Sequence, residues 1–128
     1  MKSHKFVAVV VAGLVMLGLG TTLTRAHTSG DQVCPRTGVT HVVTVENGYA
    51  SPQNTYGQLC DKLMIINKDK IAREMAFGLH EKHIPYDGVT ERVLRPGKSL
   101  TITFVQAGLF HFHDHDHDDS AGFFTVSH

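Results

Sequence analysis

The chain has 128 residues, ten of them histidine and two cysteine, with 41% hydrophobic and 19% charged residues and a formal net charge of zero. That length allows one domain with a modest core, and the charge balance excludes a protein that works by neutralising nucleic-acid phosphates. No basic amphipathic stretch suits a membrane surface either.

Residues 1–26 read as a unit apart. Lys2 and Lys5 precede an apolar run from Phe6 to Gly20, and Thr24 and Ala26 place small residues where a signal peptidase cuts. The pattern predicts a secretory signal peptide cleaved after Ala26. The run of 15 residues falls short of the about 20 that a membrane span needs, which leaves a retained anchor as the lesser alternative. Cleavage would remove Lys2, Lys5 and Arg25, leaving nine Lys plus Arg against twelve Asp plus Glu, a formal charge of −3. The expected location is periplasmic or secreted, with no membrane contact after cleavage.

Cleavage would make His27 the N-terminus, where its amine and imidazole could chelate copper together; an ordinary loose end is the competing reading. Residues 27–39 are polar and punctuated by Gly30, Pro35 and Gly38, a leader tethered by Cys34. In an oxidising compartment Cys34 and Cys60 predict a disulfide, worth about 3 kcal/mol by chain entropy. The competing use of one of them is as a metal ligand.

From residue 40 to 128 the pattern is that of short strands between turns, which predicts an antiparallel β-sandwich with Greek-key connections. Thr40 to Val45 is β-branched, and Asn47-Gly48 is a strong turn pair. Tyr49 to Leu59, with Pro52, Asn54 and Gly57, reads as loop with room for an edge strand. Lys62 to Asn67 is apolar enough for a strand buried on both faces or at a sandwich core. Lys68 to Arg73 is a charged turn, Glu74 to Phe77 a short strand, and His80 to Gly88 a loop in which Pro85 blocks helix. Glu91 to Leu94 can be a brief strand. Arg95-Pro96-Gly97-Lys98 is a turn, and Ser99 to Phe104 alternates with period two. Met64 and Met75 fall on apolar strands and read as core. His41 reads as a surface residue, and His128 as idle.

Phe110 to Asp119 (FHFHDHDHDD) packs four histidines and four aspartates into ten residues. Imidazole nitrogen and carboxylate oxygen are the donors a borderline divalent transition metal takes. Phe110 and Phe112 alternate with His111 and His113, so a strand sets rings on one face and imidazoles on the other. A hydrophilic loop follows, and Gly122 to Val126 reads as the last strand. His80 and His83, three apart in a short loop, are spaced to converge on the same ion. The bland alternative for the run is a solvated stretch that binds metal adventitiously.

In order along the chain stand Ile65-Ile66-Asn67-Lys68-Asp69, Arg95-Pro96-Gly97-Lys98-Ser99, Ala107-Gly108-Leu109-Phe110-His111-Phe112-His113 and Gly122-Phe123-Phe124-Thr125-Val126. With these elements the stretch from Thr40 to Val126 resembles a cupredoxin, which implies an all-β Greek-key sandwich with a metal loop at one end. A blue-copper member carries one histidine after the Asn-x-Asp turn, then Cys, His and usually Met on the last loop. By spacing those positions are Arg73, Asp114, His117 and Ser120 here, so only His117 is retained and no thiolate is present. The sequence is instead similar to a divergent cupredoxin-like group with a His-x-x-His before a Pro-Tyr loop and a His-Asp-His-x-His on the final loop.

The ligand set so implied is His80, His83, His113, His115 and His117. His111 and Asp114 stand behind it or join it; for Asp114 the roles open are direct ligand, acceptor fixing a histidine, and loop charge, with the second preferred. Arg73 and Glu74, where a ligand would stand, are expected to form an ion pair, and Asp118 and Asp119 to be solvated charges and turn formers. The expected cofactor is one divalent transition metal, copper first by the affinity order, zinc or nickel next. The expected function is sequestration, delivery or sensing of that metal, with a metal-transport or chaperone protein as a candidate partner and no electron carrying of the blue-copper kind. Alternatives are a redox or hydrolytic metalloenzyme with an open coordination position, and a non-catalytic β-sandwich interaction domain.

Overall fold

The computed structural model describes Cys34 and residues 38–128; the expected signal peptide, most of the leader and His27 lie outside the described residues. Strands β1 (Thr40–Glu46), β2 (Tyr49–Ser51), β3 (Asn54–Gln58), β4 (Lys62–Asn67) and β5 (Arg73–Leu79) make the first half. Then come β6 (Lys82–His83), β7 (Glu91–Leu94), β8 (Ser99–Thr103), β9 (Gly108–Asp114) and β10 (His117–Ser127). One sheet has the order β2-β1-β4-β8; the other runs β3-β10-β9-β5-β6, with β7 also paired to β5. The described residues are all-β, and no helix among them is long and apolar enough to cross a membrane.

The expected antiparallel sandwich is corrected in two places: β1 pairs parallel with β4, and β3 parallel with β10. Parallel neighbours need a crossover. Here the stretch expected to be mostly loop supplies it, because Tyr49 to Leu59 holds two strands that lie in opposite sheets. The chain crosses the sandwich through β3 before β4 returns beside β1.

The turns form where the residue chemistry put them. Asn47 (φ 54°) and Gly48 (φ 82°) both take the left-handed backbone of a two-residue hairpin turn. Pro96 and Gly97 (φ 76°) close a turn in which Lys98 N donates to Arg95 O at 2.9 Å. Asn67 is buried and turns the chain out of β4: its amide donates to Ile71 O at 2.8 Å and Leu94 O at 2.7 Å, and its Oδ1 accepts from Asp69 N at 2.9 Å.

Inward positions of both sheets build one core of Val43, Val45, Leu63, Ile65, Met75, Phe77, Ile102, Phe104, Phe112 and Phe124, among others. Phe124 is its hub. It stacks on Phe104 (5.4 Å, 2°) and Phe110 (5.2 Å, 26°) and meets Phe77 and Tyr86 edge-on. Met75 lies in the core as expected. Met64 faces outward and is half-buried, since β4 buries alternate residues and not both faces.

The disulfide joins Cys34 to Cys60, 26 residues apart, which removes both sulfurs from metal ligation. Next to it Asp61 is a knot. It accepts from Val39 N (2.8 Å), Gln58 N (3.1 Å) and His41 Nε2 (2.9 Å), so His41, expected as a surface bystander, has a partner. The hydrogen bond from His41 is the main reason the Asp61 carboxyl titrates below its ordinary 3.8; burial opposes this, and the two backbone donors add to it. A depressed acid stabilises the fold above its unfolded value and loses that contribution as pH falls through the folded one. Asp61→Ala should therefore cost about 2–3 kcal/mol at pH 7, with the gap to wild type shrinking below about pH 4. Urea denaturation at pH 7 and at pH 3 checks this; a gap equal at both would contradict it.

Candidate metal centre

The site is built on β5 and β9, which pair through Ala76↔His113 and Phe77↔Phe112. Period-two alternation sends Phe112 into the core and turns His111 and His113 to the other face, where their rings stack 5.6 Å apart at 16°. Both donate Nδ1–H to one carbonyl, Gly78 O, at 2.8 and 3.0 Å. Gly78 can present that oxygen because it sits at φ 88° in the tight return from β5 to β6. A Cβ there would stand 2.6 Å from Lys82 O and 2.7 Å from Ile84 N, so only glycine fits.

That return carries His80 and His83 back over β9. His80 stacks on His115 (4.8 Å, 9°) and lies 5.6 Å from the His113 ring, while His83 lies 5.2 Å from His113 and 4.9 Å from His115. One ligand nitrogen from each of His80, His113 and His115 falls within 4.8 Å of the others. Two imidazole nitrogens on one ion span up to about 4.2 Å, so the trio could hold a metal with small ring movements. His83 Nε2 stands 3.2 Å from His115 Nδ1, close to the about 3.4 Å between two nitrogens on one tetrahedral ion.

The chemistry of the donors fits a metal. A carbonyl can only accept, so His113 carries its proton on Nδ1 and presents a lone pair at Nε2. That Nε2 is buried and has no hydrogen-bond partner, a state that costs free energy unless something binds it. Burial depresses the His113 pKa; the bond to Gly78 works the other way, and the neighbouring His111, His83 and His80 lower it further. The ring is thereby kept neutral, the form a metal takes.

Asp114 lies deeper. Its Oδ1 accepts from Glu74 N and Asp116 N, each at 3.2 Å, and its Oδ2 from Arg73 Nη1 at 3.0 Å. Arg73 is itself buried, with Nε and Nη2 on Asp69 Oδ2 at 3.1 and 2.7 Å. Burial opposes the guanidinium charge, but the bonds to Asp114 and Asp69 outweigh it and raise the Arg73 pKa. Asp69 also accepts from Asn47 N and Gly48 N, tying the first hairpin turn to this pair. The ion pair expected for Arg73 is thus formed with Asp114 and Asp69. Glu74 takes part through its backbone, whose carbonyl accepts from His115 N at 2.8 Å.

The expected hydrophilic loop after β9 is shorter than the composition suggested. Asp114 pairs with His117 across a two-residue turn, and β10 then runs eleven residues with an irregularity before Ala121. The turn carries His117 to the far side of the hairpin, half-exposed, with Nδ1 3.4 Å from Asp114 Oδ2; it is not one of the trio. Ser120 is buried and its hydroxyl donates to Gly48 O.

Two carboxylates escaped the sequence reading as partners of the histidines. Asp118, expected to be a solvated charge, is exposed and stands with Oδ1 3.0 Å from His80 Nδ1 as an ion-pair contact. Glu91 Oε2 stands 3.2 Å from His83 Nδ1 as an ion-pair contact. Asp118 lies 38 residues from His80 and meets it through the pairing of β10 with β9, and Glu91, eight residues after His83, meets it because β6 and β7 both pair with β5. Beside the cluster, an apolar cleft of about 410 Å³ is lined by Phe77, Ile84, Tyr86, Leu109, Phe110 and His111, among others.

The two sheets form a β-sandwich of the cupredoxin fold. The chain has that fold by direct comparison. A purple cupredoxin from Nitrosopumilus maritimus superposes with a TM-score of 0.59 at 19% identity, over 67% of this chain and 98% of the other. Two amicyanin variants, one reduced and one oxidised, each give 0.58, at 14% and 16% identity, over 69% and 67% of this chain and 82% and 80% of theirs. No protein-family model matches the sequence, and no curated protein does.

Proposed function

We propose that the chain is an exported metal-binding protein that holds one divalent transition metal, Cu(II) ahead of Zn(II) or Ni(II), through His80, His113 and His115, with His83 completing the set. Its work is sequestration, delivery or sensing of that metal, not blue-copper electron transfer. The observation that carries the reading is the buried, unpartnered Nε2 of His113 beside His80 and His115. Copper is supported by the affinity order for nitrogen sites and by the fold likeness, one amicyanin variant being described with Cu(I). With imidazole donors and no thiolate or thioether, the site favours the divalent ion. His111 braces His113 through their shared carbonyl, and Asp114 holds the hairpin. His117, on the other face of the hairpin, stands outside the site; after cleavage at Ala26, His27 would serve as an accessory donor.

The test is metal stoichiometry. The purified protein, challenged with mixed copper, zinc and nickel, should retain one tight equivalent with no intense blue band. A His80→Ala/His113→Ala variant should bind at least about 1,000-fold more weakly, well beyond the tenfold-to-hundredfold loss typical of an outer partner. Several weak equivalents, unchanged in the variant, would mean an adventitious histidine run. Export is checked separately: the intact mass of the protein in the exported fraction should lack residues 1–26.

A further inference from the structure

Three of the four clustered histidines have their outer nitrogen beside an acceptor, one of them in a hydrogen bond. His113 Nδ1 donates to Gly78 O at 3.0 Å, while Asp118 Oδ1 and Glu91 Oε2 stand 3.0 and 3.2 Å from His80 Nδ1 and His83 Nδ1 as charge contacts. The acceptors come from the end of β5, from β10 and from the start of β7, yet the result is the same on each ring. A proton held at Nδ1 leaves the Nε2 lone pair to face the cluster.

We propose that Glu91 is a positioning residue for the metal site: its carboxylate fixes His83 as the Nδ1–H tautomer and so sets Nε2 as the atom offered to the ion. Asp118 does the same for His80, more weakly. The inference rests on the proposed metal reading for its effect on affinity but not for its effect on the tautomer.

Geometry assigns the two carboxylates unequal weight. The His83 side chain is 17% exposed and Glu91 49%, whereas His80 is 50% and Asp118 73% exposed. A contact open to water on both sides competes with solvent and contributes little. His83 is also the ring whose Nε2 meets another ligand, His115 Nδ1, at 3.2 Å. If the His83 proton moved to Nε2, that nitrogen could neither ligate nor accept from His115. One misplaced proton would then disturb two donors.

The test has two arms. In the metal-free protein at neutral to mildly basic pH, long-range ¹⁵N–¹H spectra should show His83 protonated at Nδ1 in wild type. In Glu91→Ala they should show a mixture or the Nε2–H form. Glu91→Gln, whose amide oxygen can still accept, should restore the wild-type pattern in part. Zn(II) alone serves as the probe in the second arm. Its affinity should fall about 10–100-fold in Glu91→Ala, less in Glu91→Gln, and by under about tenfold in Asp118→Ala. Glu81→Ala, which removes a carboxylate from the same return without touching a histidine, should stay within about twofold, because an exposed charge acts only through screened long-range attraction.

An unchanged His83 tautomer in Glu91→Ala would overturn the proposal, and so would an affinity loss no larger than that of Glu81→Ala. Failure of wild type to bind Zn(II) at all would instead strike the metal reading. The tautomer spectra would still decide the role of Glu91.

Discussion

Arg73→Met should destabilise the protein by about 3–5 kcal/mol, the loss expected when one partner of a buried ion pair is removed. Asp114 is fully buried and Arg73 nearly so, so the substitution leaves a carboxylate inside the fold with its charge uncompensated. It also frees Asp69, whose carboxylate otherwise spans Arg73 and the turn at Asn47 and Gly48. The second substitution of the cycle is Asp114→Asn, which removes the charge while its side-chain oxygen can still accept from Glu74 N and Asp116 N. Arg73→Met/Asp114→Asn should therefore regain at least about 1 kcal/mol relative to the sum of the single losses. Denaturant melts of the four proteins give the coupling directly. An additive cycle, or an Arg73→Met loss under about 1 kcal/mol, would mean that the pair carries no such charge burden.

His113→Leu should act in the opposite sense on the metal-free fold. The side chain is buried, but its Nε2 has no partner, and an unsatisfied buried group costs about 1–3 kcal/mol. Leucine removes that cost. It also gives up the Nδ1 bond to Gly78 O, an acceptor that keeps His111. The metal-free stability should stay level or rise by about 1 kcal/mol, while metal affinity falls by more than about 100-fold. A residue that weakens the fold and is needed only with a ligand present has the profile of a functional position. If His113→Leu instead lost more than about 2 kcal/mol without metal, the ring would be a structural element, and the site would have to be sought elsewhere.

What could be read from the sequence was what is local. The period-two run at Ser99 to Phe104, the Asn47-Gly48 turn and the Pro96-Gly97 turn are each decided by neighbouring residues, and each formed as expected. The alternation of Phe110 and Phe112 with His111 and His113 correctly put two imidazoles on one face, because side-chain direction in a strand follows residue parity. Arg73, expected to form an ion pair, does so with Asp114, 41 residues away in the chain.

What stayed hidden depends on partners distant in sequence. Tyr49 to Leu59 looked like loop because Pro52, Asn54 and Gly57 weaken any strand signal; pairing with β1 and β10 overrides it. The hydrophilic loop expected after the Phe110 strand is reduced to a two-residue turn by the pairing of Asp114 with His117. That one register puts His115 among the clustered histidines and His117 outside the trio. Glu91 and Asp118 had no local mark at all. Gly78 did have one: a glycine just before His-x-x-His marks a backbone position that a side chain would obstruct, here the carbonyl that braces His111 and His113.

The most direct test of the metal assignment is the electron paramagnetic resonance spectrum of the protein loaded with one equivalent of Cu(II). The arrangement of His80, His83, His113 and His115 predicts a single homogeneous signal with coupling to several imidazole nitrogens and no intense thiolate-to-copper band. A heterogeneous signal that saturates only after several equivalents would show copper scattered over the exposed histidines, and would contradict a built site.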